Sequence, residues 1–225
     1  MISFTAENKA VTIFPGSEPD RPVIYLNTFG DEGEQVFQEL QAHGCPDFNL
    51  AVIGNLEWNH DMVPWDILSI SEKDAAFTGG ADEYLNFLIG RIIPEAEREI
   101  KGKPVWRGLA GYSLAGLFAV YAVCRTELFP RAASMSGSLW FPGIKDYILS
   151  HGEEVKAEHI YFSLGDRENR TRNRTMKCVR ENTEEIETFL KSRGKDTVFQ
   201  LNPGGHFNNT VERSAAGIRW LLGRP

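Results

Sequence analysis

The stretch Leu109-Ala110-Gly111-Tyr112-Ser113-Leu114-Ala115-Gly116 places a serine between small residues. A short apolar run precedes the serine, and an alanine-rich apolar run, residues 117–123, follows it. This pattern is typical of a nucleophilic serine on a sharp turn between a strand and a helix. An ordinary buried turn is the competing interpretation. Chance predicts about 0.1 matches to Gly-x-Ser-x-x-Gly in such a chain, so the motif needs support from the surrounding sequence.

The composition is that of a globular protein with a large core. The chain has 225 residues, 42% of them hydrophobic and 11% aromatic. We expect one domain, residues 1–225, in which residues 1–21 form an edge hairpin and a loop. The formal net charge of −7 predicts no nucleic-acid or anionic-membrane partner, because either surface would repel the protein.

Signals for export, membrane insertion and cofactors are not found in the sequence. The residues after Met1 do not show the basic segment and apolar core of a signal peptide, and no apolar run reaches membrane-spanning length. Cys45, Cys124 and Cys178 are widely spaced and odd in number, which favours reduced thiols over disulfides or a zinc site. We therefore expect a cytoplasmic protein without a metal. No Gly-x-Gly-x-x-Gly follows an early strand, so no dinucleotide or other cofactor is predicted.

Buried strands alternate with helices along the chain. The predicted strands are residues 2–6, 11–14, 23–26, 50–53, 105–110, 132–136, 160–164 and 198–201. The predicted helices are residues 34–43, 81–100, 117–123, 175–192 and 210–222, and Pro94 is expected to kink or split the second of them. This alternation predicts an α/β fold with a mostly parallel eight-stranded sheet, helices on both faces and no large lid. Ligands of such sheets bind beyond the carboxyl ends of the strands.

A serine nucleophile needs a base, and the base needs an acid that fixes its tautomer. The chain order expected for this fold is serine, acid, histidine. His206 is the favoured base because it follows the last predicted strand in Pro203-Gly204-Gly205-His206, where glycines leave room for a substrate. His60, in a long aromatic loop, is a candidate pocket residue.

The acid is expected in Leu164-Gly165-Asp166-Arg167-Glu168, which ends a predicted strand. Glu168 is favoured because three residues past the glycine give its side chain a turn in which to reach back. Asp166 is the alternative acid, and a solvated charge is the competing interpretation of either. The arginines that follow indicate a solvated face, of which one or two side chains attract an anionic substrate.

The oxyanion hole is predicted to contain the N–H of Leu114, the residue after the serine. A second donor is expected in the loop after Leu26. Phe29 is favoured, with Thr28 and Gly30 as the neighbouring candidates. Each such donor stabilises a transition state by about 3 kcal/mol.

Four pieces of the sequence together resemble the putative esterase family of the α/β-hydrolase superfamily. They are residues 111–119, residues 134–140, residues 168–173 and Gly205-His206-Phe207. This family includes esterase D, feruloyl esterases, mycolyltransferases and siderophore esterases, and residues 22–222 are similar to it. The resemblance implies Ser113 as nucleophile and His206 as general base, and it supports Glu168 as the acid, although some siderophore esterases are thought to use a serine–histidine dyad.

The resemblance is nearest to the siderophore-esterase-like branch. It implies a substrate pocket walled by aromatic side chains and the loop after the fourth strand. The predicted pocket residues are Trp140, Trp58, Asp61, Trp65 and Tyr112. Two departures stand out: Ala115 replaces a common glycine, and Asn27-Thr28-Phe29-Gly30 replaces the more usual His-Gly or Asp-Gly.

The expected function is that of a serine carboxylesterase acting on a small-molecule or polymer-attached ester. An acyltransferase that uses the same residues is the first alternative. A non-catalytic binding protein with this fold is the second. The sequence predicts no particular oligomeric state and no particular ester.

Overall fold

An eight-stranded sheet is the central layer of the computed structural model, which describes residues 1–70, 75–152 and 154–225. Its strands are β1 (Ile2–Ala6), β2 (Lys9–Phe14), β3 (Val23–Asn27), β4 (Asn49–Gly54), β7 (Arg107–Tyr112), β8 (Arg131–Met135), β9 (His159–Gly165) and β10 (Asp196–Asn202). The order across the sheet is β1-β2-β4-β3-β7-β8-β9-β10. The six strands from β4 to β10 are parallel, and the β1–β2 hairpin joins them antiparallel at one edge. The predicted sheet and its class are confirmed.

A second, two-stranded sheet consists of β5 (Asp66–Ile67) and β6 (Phe77–Thr78). Its strands fall between a short helix at Trp58–Asp61 and a longer one that begins at Ala81, in a part of the chain where no strand is predicted. Strands of two residues are too short to show an alternating hydrophobic pattern, so the sequence gives no period by which to find them.

Helices cover both faces of the large sheet, as predicted. They are α1 (Gly33–Ala42), α2 (Trp58–Asp61), α3 (Ala81–Phe87), α4 (Ile93–Ala96), α5 (Leu114–Val123), α6 (Ile144–His151), α7 (Val179–Ser192) and α8 (Thr210–Leu222). One face carries α1 and α8, and the other carries the remaining helices. All ten residues of α5 are buried, because α5 lies between the sheet and the outer helices α3 and α6. No helix in the described ranges has both the length and the apolar character needed to cross a membrane.

The sequence predicts a helix over residues 81–100 that Pro94 kinks or splits, and the structure confirms the irregularity but ends the helix at Ala96. The structure has α3, then a π-helical turn at Leu88–Ile92, then the short α4 and irregular turns. Pro94 explains the break, since proline has no N–H and its ring collides with the carbonyl one turn back. A π-helical turn widens the backbone locally and avoids that collision.

The strand register brings the carboxyl ends of the central strands together. Tyr112 pairs with Met135, Met135 pairs with Ser163, and Gly165 pairs with Asn202. The residues that follow β7, β8, β9 and β10 therefore meet at one edge of the sheet, where ligand sites of parallel sheets lie.

Candidate active site

Ser113 occupies the turn between β7 and α5. Its backbone has φ 60° and ψ −121°, a strained conformation that costs a non-glycine residue about 1–3 kcal/mol. A Cβ on Gly111 would lie 2.4 Å from the carbonyl carbon of Ala115, and a Cβ on Gly116 would lie 2.9 Å from the Cα of Gly137. The glycines of the motif thus allow strand and helix to pack closely around the half-buried Ser113.

His206 lies in the loop that follows β10, and its Nε2 is 3.0 Å from the Oγ of Ser113. The Tyr112 hydroxyl donates a 2.6 Å hydrogen bond to the carbonyl oxygen of His206. A Cβ on Gly165 would lie 2.4 Å from the carbonyl oxygen of Gly204. The histidine loop is therefore seated closely against the end of β9 and the residue before the serine.

Glu168 accepts a hydrogen bond on Oε2 from the Nδ1 of His206, at 2.8 Å. Its other oxygen, Oε1, accepts bonds from the Ser136 hydroxyl at 2.8 Å and the Gly165 N–H at 2.5 Å. Burial acts to raise the pKa of Glu168, but the hydrogen bonds and charge around the carboxylate outweigh burial and hold the pKa below its usual value. An ionised Glu168 keeps the proton of His206 on Nδ1, so that Nε2 accepts from Ser113.

Asp166, the alternative acid, does not contact His206. Its side chain is 51% exposed, against 5% for Glu168. Asp166 Oδ1 accepts the N–H of Gly204 at 2.9 Å and lies 3.7 Å from the Nε of Arg167. Asp166 therefore ties down the histidine loop through its backbone, and Glu168 is the carboxylate in contact with the imidazole.

The N–H of Leu114 is available beside Ser113, since Leu114 is the first residue of α5 and the first N–H groups of a helix have no partner within it. In the other predicted donor loop, Thr28 uses its N–H on the carbonyl of Ile53, at 2.9 Å. The N–H groups of Phe29 and Gly30 donate to the Glu32 carboxylate, at 3.3 and 2.9 Å. Thr28 is therefore excluded as a donor, and the Phe29 N–H faces a carboxylate in this structure.

Three further residues of the site were not predicted from the sequence. The Oγ of Ser138 lies 3.4 Å from that of Ser113, Ser136 bonds the acid, and Arg213 of α8 lies 3.3 Å from Glu168 Oε1. A signal for Arg213 exists in the sequence. Arg213, Gly217 and Leu221 repeat every four residues on the buried stripe of α8, where a charged residue requires a partner.

A sequence model of the family described as "Putative esterase" matches residues 33–210, which includes Ser113, Glu168 and His206. The chain belongs to this family. Ester hydrolysis is thus its class of activity. The chain is also 24% identical over 215 residues to the uncharacterized protein YbbA of Bacillus subtilis (strain 168), covering 90% of this chain and 86% of that protein.

Solved structures with the same fold include two described as hydrolases. An IroE-like serine hydrolase from Shewanella oneidensis has a TM-score of 0.78 and 18% identity, over 95% of this chain and 75% of that one. The siderophore hydrolase EstB from Aspergillus nidulans has a TM-score of 0.75 and 18% identity, over 96% and 93%. At these identities the likeness establishes the α/β-hydrolase fold.

A cavity of about 290 Å³ opens beside the imidazole of this esterase. Its lining residues are Ser136, Gly137, Trp140, Arg167, Glu168, Arg170, Thr171, Met176, Val179, His206 and Phe207. Trp140 is only 7% exposed, whereas Phe207 is 88% exposed. The cavity therefore has an apolar wall, an aromatic side chain at its mouth and two arginines in its lining.

Of the predicted pocket residues, only Trp140 lines this cavity. The carboxylate of Asp61 is instead buried in an ion pair with Lys9. The Trp65 Nε1–H donates to the Pro142 carbonyl at 3.0 Å. These two assignments are corrected because the aromatic loop folds inward as α2 and β5 rather than over the serine.

Trp58 and Tyr112 also lie outside the cavity. The Trp58 ring contacts that of Phe29, with centroids 5.1 Å apart, so Trp58 supports the loop that carries the second predicted donor. Tyr112 supports the histidine loop through the hydrogen bond from its hydroxyl to the carbonyl oxygen of His206. His60 bonds the Thr78 carbonyl through Nδ1, at 3.0 Å, and fastens α2 to β6.

The cysteines offer no competing nucleophile. All three are unpaired, and burial raises the pKa of each thiol, that of Cys124 to about 12. A protonated thiol is a poor nucleophile and a poor metal ligand. Within the described ranges, no group of three or more histidine, cysteine, aspartate or glutamate side chains is arranged to hold a metal ion.

Proposed function

We propose that the protein is a serine carboxylic-ester hydrolase that works through an acyl-enzyme on Ser113. His206 is the general base, and Glu168 orients it. The observation that carries this proposal is the unbroken line of hydrogen bonds from Glu168 Oε2 to His206 Nδ1, at 2.8 Å, and from His206 Nε2 to Ser113 Oγ, at 3.0 Å. Both distances lie within the range that proton transfer requires.

Acylation begins when Ser113 Oγ attacks the ester carbonyl and its proton passes to His206 Nε2. The carbonyl oxygen becomes an oxyanion, which the Leu114 N–H stabilises. The tetrahedral intermediate then breaks its bond to the alkoxy oxygen, and His206 returns the proton to the departing alcohol. Glu168 stays ionised throughout and stabilises the imidazolium that forms in between.

Deacylation repeats these steps with water. Water loses a proton to His206 and attacks the acyl carbonyl, the bond to Ser113 Oγ breaks, and the serine regains its proton. The Phe29 N–H is the second oxyanion donor in this scheme. Its bond to Glu32 is long, at 3.3 Å, so the developing oxyanion competes with that carboxylate for the N–H.

The cavity beside His206 supports a substrate with an apolar or aromatic part and an anionic part. Trp140, Met176 and Val179 supply apolar surface, while Arg167 and Arg170 supply positive charge. Siderophore esters are the first class to test, because the similar EstB structure is described as a siderophore hydrolase. Feruloyl and acetyl esters are the comparison classes.

The decisive experiment is active-site labelling with a fluorophosphonate, followed by intact mass and peptide mapping. We expect one adduct, on Ser113, and none in Ser113→Ala. Ser150→Ala is the matched control, because Ser150 lies in α6 and bonds only local groups, and it should label like the wild type. Labelling that survives Ser113→Ala would refute the assignment.

Turnover of the three ester classes then distinguishes the functions. Release of free acid supports hydrolysis, whereas transfer of the acyl group to added alcohols in preference to water indicates an acyltransferase. Labelling at Ser113 without turnover of any ester in the panel would contradict the proposed hydrolase.

A further inference from the structure

Arg213 is a buried cation at the centre of the site. Its side chain is 3% exposed. Its Nη1 lies 3.3 Å from Glu168 Oε1, 3.2 Å from the Ser136 hydroxyl and 3.1 Å from the Gly205 carbonyl oxygen, and its Nη2 donates to the Pro203 carbonyl at 3.0 Å. The Tyr112 hydroxyl lies 3.3 Å from the same Nη1. Its Nε has no partner in the part of the chain that the structure describes.

These acceptors belong to three separate segments, which follow β8, β9 and β10. Glu168 follows β9 and Ser136 follows β8, whereas the Pro203 and Gly205 carbonyls belong to the loop that carries His206. The guanidinium therefore fastens the acid to the backbone of the base. A planar group with several fixed donors suits this task, and lysine, with its compact ammonium, does not reproduce it.

We propose that Arg213 is a positioning residue of the esterase. It holds Glu168 and the His206 loop at their working distance, and its charge balances the buried carboxylate. This inference rests on the proposed function, in which His206 must both take a proton and give it back.

The charge balance depends on the groups that face Arg213 from each neighbouring element. Tyr112 of β7 and Tyr161 of β9 stay neutral, since burial raises the pKa of both phenols. Arg167 and Arg170 line the cavity on the other side of the acid. Glu168 is the anion that contacts Arg213 among the described residues. Removing Arg213 leaves a carboxylate that favours the imidazolium form of His206, so the base stays protonated to higher pH.

The test compares Arg213→Met and Arg213→Lys by the pH profile of kcat/KM on p-nitrophenyl acetate. We expect Arg213→Met to lower kcat about 100-fold with little change in KM, and to raise the pH midpoint of the acid limb by about one unit. Arg213→Lys keeps the charge and loses the fork of donors. Its kcat should fall about tenfold, while its pH midpoint stays at the wild-type value.

Arg131→Met is the matched control for the loss of a buried arginine. Arg131 is 6% exposed and donates to the carbonyl oxygens of Leu221, Arg224 and Pro225, away from the triad. It should lower the melting temperature and leave the pH midpoint unchanged. An unshifted midpoint in Arg213→Met, or an equal shift in Arg131→Met, would overturn the inference.

Two measurements separate the possible failures. Rates are expressed per active site titrated with the fluorophosphonate, so a poorly folded Arg213→Met sample does not count as a catalytic loss. If Arg213→Met yields no labelled protein, the test rests on Arg213→Lys. An unchanged kcat in Arg213→Lys would then overturn the inference. Failure of the wild type to label at Ser113 refutes the proposed function instead.

Discussion

Replacing Glu168 by glutamine tests the acid directly. The carboxylate has one oxygen on His206 and the other on three donors, from Ser136, Gly165 and Arg213. Glutamine has a single acceptor oxygen, which those three donors retain, so its NH₂ group turns toward Nδ1 of His206. Nδ1 must then accept and Nε2 carries the proton, which leaves the serine without a base.

The expected loss in kcat/KM for Glu168→Gln is about 10⁴-fold, the effect of a wrong histidine tautomer in a serine triad, or about 5.5 kcal/mol at 1.36 kcal/mol per tenfold. Hydrolysis of p-nitrophenyl acetate per titrated active site measures it. Asp166→Asn is the control, because asparagine can still accept the Gly204 N–H, and its rate should stay within about threefold. A Glu168→Gln rate within tenfold of wild type would refute the reasoning and indicate a serine–histidine dyad.

Three more predictions concern packing and stability. Gly111→Ala forces the new Cβ against the backbone of Ala115. It should lower the melting temperature and reduce kcat by about 100-fold. Gly90→Ala is the control: its Cβ would meet nothing within 4 Å, so neither the melting temperature nor kcat should fall. Glu168 has a lowered pKa in the folded protein, so the stability it contributes is present above about pH 4.5 and is lost as pH falls through the folded pKa. Below about pH 4.5 the melting temperature of the wild type should therefore fall more steeply than that of Glu168→Gln, and parallel curves would contradict this. Lys9→Met leaves the carboxylate of Asp61 buried without its cation and should lower the free energy of unfolding in urea by about 3–5 kcal/mol. The double variant Lys9→Met with Asp61→Asn should recover part of this loss. Equal stability of the single and the double variant would contradict the ion-pair account.

The sequence predicts the central features of the site because they are local. The turn at Ser113 depends on Gly111 and Gly116, two residues before and three residues after the serine, and the position of His206 depends on the loop that follows the last strand. The choice between Glu168 and Asp166 is also partly local. The N–H of Glu168 bonds the carbonyl of Gly165, which closes the turn that directs its side chain back toward the imidazole.

The remainder depends on contacts between distant segments. Asp61 and Trp65 look like pocket residues in the sequence, but Lys9, 52 residues before Asp61, and Pro142, 77 residues after Trp65, decide where their side chains lie. Arg213 meets Ser136 across 77 residues. No periodicity or motif encodes such pairings, since they follow from the order of strands in the sheet.

The separation of the triad along the chain also makes catalysis a reporter of folding. Ser113 and His206 are 93 residues apart, and β8, β9 and β10 must all join the sheet before the base reaches the nucleophile. Contacts of such long range form slowly, because the closure entropy of the intervening chain must be overcome first. Recovery of esterase activity after dilution from denaturant should accordingly lag behind the return of helical circular dichroism, and the delay measures how late the last strand joins the sheet.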